Sequence, residues 1–206
     1  MTIKILDNTS SLRAQNKLGQ NRRRLSKSMN RLASGKRLNG AADDAAALAI
    51  SQMMTAESRS LVQAQRNTMD GISMLQTAEG GLGEMHEVLG RMRELSLQAS
   101  NGTLSDDQRS VIDQEFTSLR EELDNISATS EFNGQKLLDG SASGGVDFQV
   151  DTGPDASTDQ ISVSIDQIDS STLGDGSANL DVQSLSTQGG ASSALSVIDG
   201  AISRIS

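Results

Sequence analysis

The sequence has no cysteine, tryptophan or tyrosine, and only three phenylalanines, one proline and one histidine among its 206 residues. Without thiols there is no disulfide, no thiolate nucleophile and no sulfur-built zinc site, and His86 has no second imidazole with which to hold a metal. Globular enzymes use aromatic rings as large core fillers; helices packed side by side need only a stripe of Leu, Ile, Met and Ala. No grouping of Ser, His and Asp supplies a nucleophile with an oriented base, so no catalytic residue, cofactor or metal is expected. Met1–Asp7 carries no apolar run of signal-peptide length, and no stretch approaches a membrane span.

What the chain does have is a long heptad pattern between Ala45 and Ile126. Leu61, Leu75, Leu82 and Leu89 share one seven-residue row, and Ala64, Ala78, Met85, Met92 and Ala99 form the companion row of a seam that seeks a neighbouring helix. After Asn101-Gly102, a Ser105-Asp106-Asp107-Gln108 capping box opens a second run in which Ile112, Phe116, Leu119, Leu123 and Ile126 step by four and three. The pattern predicts a helical hairpin. Leu18, Leu25 and Leu32, widened by Ala14 and Met29, predict an earlier amphipathic helix over residues 8–33, marginal on its own.

Beyond Leu138, Val146, Phe148 and Val150 alternate with polar residues, as do Ile161, Val163 and Ile165, which predicts a β-hairpin lying on the helices. Residues 169–193, rich in Ser, Gly, Asp and Thr, are expected to be a loop. A last helix is expected from Ala194, with Leu195, Ile198, Ile202 and Ile205 at helical spacing. Asp151, Asp155 and Asp159 lack the glycine and closing glutamate of a calcium loop and are expected to be solvated turn residues. Gly80-Gly81-Leu82-Gly83 lacks the lysine of a phosphate loop and is expected to mark close helix packing.

Residues 1–66 hold twelve Lys and Arg against four acids, and residues 67–206 six against twenty-three, for a net charge of −9. The basic end, centred on Arg22-Arg23-Arg24, could meet nucleic acid or the acidic flank of another copy. No aromatic interleaves with it to stack on bases. No nucleic-acid partner is therefore expected, and without a spanning stretch no membrane partner is expected either.

Between the first two helices runs Arg31-Leu32-Ala33-Ser34-Gly35-Lys36-Arg37-Leu38-Asn39-Gly40-Ala41-Ala42-Asp43-Asp44, with Gly35 and Asn39-Gly40 as punctuation and Asp43-Asp44 expected in the first turn of the long helix. This segment resembles the hallmark of the bacterial flagellin N-terminal region. Gln65-Arg66-Asn67, Asp70-Gly71-Ile72-Ser73, Gln76-Thr77-Ala78-Glu79-Gly80, Arg91-Met92-Arg93-Glu94-Leu95-Ser96 and Glu131-Phe132-Asn133-Gly134 extend the resemblance over roughly residues 5–140.

The resemblance implies a mainly α fold, a long antiparallel coiled-coil-like helical rod with a small β-hairpin region. Residues 1–40 would be the inner-core helix segment and connector, 41–140 the helical hairpin, 141–168 the β-hairpin, 169–193 a loop without a variable outer domain, and 194–206 the start of a C-terminal helix. The unfinished period at Ser206 gives the expectation of a truncated chain, with a variant whose missing coil strand comes from elsewhere as the alternative. The implied role is a structural subunit that polymerises head-to-tail into an extracellular flagellar filament, with the export apparatus, filament cap and junction proteins as partners. Family members are also recognised by an innate immune Toll-like receptor, through a patch that here corresponds to Arg91, Leu95 and Glu115. The connector residues of the family motif are Arg31, Leu32, Ser34, Gly35, Arg37, Asn39, Asp43 and Asp44. A hook-filament junction protein and, from another class, a nucleic-acid-binding coiled coil stand as alternatives.

Overall fold

The computed structural model describes residues 8–206; the first seven residues of the expected inner-core segment lie outside that range. The chain is mainly helical, with long helices and two small antiparallel strand pairs. It divides into two compact units, one up to Arg59 and one from Ser60, so the expected boundary at residue 40 falls inside a connector of the first unit.

In the first unit, α1 (Thr9–Ser34) buries none of its residues. It stops at Gly35, whose φ of 64° is the left-handed conformation that lets the Gly35 amide close onto the Leu32 carbonyl and that costs glycine least. α2 (Ala45–Ala99) follows the connector. Asp43 and Asp44 stand just before its first turn rather than within it. The Asp44 carboxylate accepts from the Ala47 amide at 2.9 Å, satisfying one of the donors that a helix start leaves open.

In the second unit, α3 (Asp106–Thr129) opens on the expected capping box: Ser105 Oγ accepts from the Gln108 amide, and the Gln108 side chain accepts from the Ser105 amide. The core forms where the rows of α2 and α3 meet. Met74, Met85, Leu89, Met92, Ala99, Phe116 and Leu123 are all buried. The upper part of the seam behaves otherwise, for Leu61 and Leu75 remain 48% and 38% exposed.

A two-residue pair, β1 (Glu131–Phe132) with β2 (Gln135–Lys136), closes through Asn133-Gly134, both at positive φ, the Asn-Gly signature of a tight hairpin. β3 (Val146–Gln149) pairs with β4 (Gln160–Val163), Phe148 opposite Ile161 and Val146 opposite Val163. This hairpin lies on α2: a Cβ at Gly71 would come within 3.2 Å of the Phe148 ring, and the Asn67 amide donates to the Gln149 carbonyl at 2.9 Å.

Four expectations are corrected. Residues 169–193 are not a free loop: Leu173, Leu180 and Leu185 are buried, and Leu180–Val182 forms a 3-10 turn. Two carboxylates of α3 hold the segment down, Asp124 accepting from the Ser170 amide and hydroxyl and Asp113 from the Leu185 amide and Ser184 hydroxyl. The last helix, α5 (Gln188–Ile205), follows a Thr187 cap and so starts six residues before Ala194. The aspartates at 151, 155 and 159 are not all solvated. Asp155 caps the short helix α4 (Ala156–Asp159), and buried Asp159 accepts from the Asp155 amide across the hairpin loop. Of the Gly80, Gly81 and Gly83 cluster only Gly81 is in close packing, against Ser130 and Leu138.

Candidate functional site

The connector is the first place where motif residues converge. The Asn39 amide donates to the Asn30 carbonyl at 3.0 Å, while the Ser34 hydroxyl donates to the Asn39 side-chain oxygen at 2.8 Å. The Asp43 carboxylate binds Lys27 and lies 3.9 Å from Arg31. The hydrogen bond from Lys27 holds the Asp43 carboxyl below the usual carboxylate range. Four motif residues, Arg31, Ser34, Asn39 and Asp43, thus tie the connector back onto the last turns of α1, Gly35 makes the turn and Asp44 starts α2. Leu32, at 82% exposure, and Arg37 face outward. The geometry fixes a backbone path.

The second place is the patch on the α2–α3 pair. Arg91 forks onto Glu115 with contacts of 2.7 and 3.1 Å and reaches Glu94 at 2.9 Å; these partners raise its pKa above the ordinary guanidinium value. A planar fork suits a carboxylate in this way. Arg91 and Glu115 are exposed, but Leu95 is only 2% exposed and belongs to the core with Met92 and Ala99. Leu95, expected in the receptor patch with Arg91 and Glu115, is therefore corrected to a core position: its side chain packs inside its own chain and is not available to a partner.

Sequence reasoning missed Arg109. Its guanidinium is buried, donating to the Ala99 carbonyl at 2.9 Å, the Asn101 carbonyl at 2.9 Å and the Asp106 carboxylate at 2.8 Å. A cation in the first turn of a helix opposes the helix dipole. Here it reaches the carbonyl end of α2 instead, where the dipole is favourable. That misplaced charge was the available signal. Among the described residues no three His, Asp or Glu side chains converge as a metal group, and no helix is long and apolar enough to cross a membrane.

Residues 5–143 match the family model for the bacterial flagellin N-terminal helical region. The chain belongs to the bacterial flagellin family. Flagellin A of Vibrio anguillarum is 48% identical over 150 residues, which are 73% of this chain and 39% of that one, so the chain spans less than half the length of this relative. The crystal structure of Bacillus cereus flagellin is 33% identical, with a TM-score of 0.56 over 68% of this chain and 77% of that one. A putative flagellar hook-associated protein from Vibrio parahaemolyticus shares the fold, with a TM-score of 0.63 over 81% of this chain and 84% of that one, at 20% identity.

Proposed function

We propose that the chain is a structural subunit of the extracellular bacterial flagellar filament, joining head-to-tail with identical copies. One observation carries the reading beyond family membership: among the described residues, large apolar side chains stand in rows along the helices without a partner. Leu18, Leu25, Met29 and Leu32 on α1, and Ile50, Met53, Met54, Leu61, Met69, Ile72 and Leu75 on α2, are 38% to 82% exposed. Rows of this kind bury themselves when copies meet, and contacts between different front and back surfaces repeat without closing, giving an open helical polymer.

The test is to replace Leu61 and Leu75 by Asp in the gene of the source bacterium and to image the cell surface by electron microscopy. Filaments should shorten or vanish; filaments of normal length would contradict the reading. Export through the flagellar apparatus and growth beneath a cap belong to the same reading. So does recognition by a Toll-like receptor, with Arg91 and Glu115 as the surface contacts and Leu95 holding their helices in register from below. In a receptor reporter assay Arg91→Ala should signal less than the unaltered chain; equal signalling would remove Arg91 from the contact.

A further inference from the structure

The α1 helix joins two properties that the filament reading does not use together. Between Thr9 and Ser34 there are seven cations, Arg13, Lys17, Arg22, Arg23, Arg24, Lys27 and Arg31, and no acid. At 3.6 residues per turn, all of these except Arg22 fall within an arc of about 120°, whereas Leu18, Leu25, Met29 and Leu32 fall within an opposed arc of about 60°. Arg22 flanks the apolar arc. Lys27 and Arg31 engage Asp43; among the described residues the other five make no ion pair, and these four apolar side chains are 56% to 82% exposed, while Leu12, 59% exposed, stands apart from the stripe at the edge of the basic arc.

We propose that α1 of the unassembled chain lies along anionic lipid surfaces, with the Leu18, Leu25, Met29 and Leu32 stripe at the acyl boundary and the basic face among the headgroups. A helix lying in the interface needs a sharp division of faces and cations to meet negative headgroups, and no spanning length. The lack of a membrane span therefore does not bear on it. Charge complementarity selects a polyanion, and the apolar stripe selects lipid over nucleic acid: a phosphate backbone gives Leu and Met nothing to bury against, and α1 has no aromatic to stack on bases. Arg22, at the stripe's edge, has the long stem that lets a charge reach the headgroups while its methylenes stay in the apolar layer. The inference concerns the free chain and does not rest on the filament reading.

The test is co-sedimentation of the 206-residue chain with vesicles of phosphatidylcholine and of phosphatidylcholine mixed with phosphatidylglycerol. The anionic vesicles should bind at least roughly tenfold more tightly, and the binding should weaken steeply with added salt. Each cation near such a surface is worth roughly fivefold in affinity, so Lys17→Gln with Arg23→Gln and Arg24→Gln should lower binding by roughly a hundredfold. Leu25→Asn with Met29→Asn should weaken it as well, because the stripe enters the interface. Equal binding to both vesicle types, or none to the anionic ones, overturns the proposal. So does unchanged vesicle binding by the Leu25 and Met29 variant, since charge alone would then account for it and duplex DNA would compete equally well. The lipid and salt comparisons on the unaltered chain hold whatever the variants do to folding.

Discussion

The two units of this chain are built on opposite terms. From Met74 onward, most of the Leu, Met and Ala rows meet Phe116, Leu123, Leu173, Leu180, Leu185 and α5 in a closed core. From residue 8 to Arg59 no described residue is buried, and the contacts that shape the unit are polar: the Asp43 pair, the Asn39 bridge and the Asp44 cap. The sequence patterns are similar, with leucines spaced by seven in both. What differs is whether a partner surface exists among the described residues. An apolar stripe stabilises only once it is covered, so the first unit has the low local stability of a segment whose partners lie elsewhere.

The comparison breaks first at Phe116. Phe116→Ala opens a cavity at the centre of the second unit and should cost about 3–5 kcal/mol, read as a fall in the urea midpoint. Helicity contributed by α1, which belongs to the other unit, should be unchanged by it. A smaller loss is expected at Arg109, where Arg109→Met leaves the Ala99 and Asn101 carbonyls without their donor at a cost of about 2–3 kcal/mol. Asp113→Ala should cost about 1–2 kcal/mol by releasing the Leu185 amide, and proteolysis between Ser170 and Thr187 should speed up; resistance equal to that of the unaltered chain would mean the buried leucines hold the segment unaided.

The smallest effect belongs to the first unit. Because Lys27 lowers the Asp43 pKa on folding, the contribution of this pair is fully present above the ordinary carboxylate value of about 4. It fades as pH falls through the depressed folded value. Amide exchange in the connector, corrected for its intrinsic pH dependence, should therefore be flat from roughly pH 5 to 8 and accelerate only in stronger acid. Asp43→Asn should remove the acid dependence without moving the midpoint of the second unit.

The helices and the β3–β4 hairpin were legible because their signals are periodic or alternating and local. The Ser105 and Gln108 box locates the start of α3, and Asn133-Gly134, which also belongs to a family motif, carries the turn signal of the β1–β2 hairpin. The segment 169–187 was not legible. Its three buried leucines follow no period, and the groups that hold it, Asp113 and Asp124, sit some fifty to seventy residues earlier on α3. Leu95 shows the reverse limit: a motif match named the residue, but only the direction of its side chain revealed that it faces inward.

Hydrogen exchange on the dilute, unassembled chain tests the division between the two units most directly. Amides of α3, of α5 and of α2 from Met74 to Ala99 should exchange only through rare global opening, while those of α1 and of α2 before Arg59 should exchange far faster through local opening. Slow exchange of comparable rate along all of these helices would mean that the leucine rows of the first unit are already covered, and the account of them as surfaces held for other molecules would be wrong.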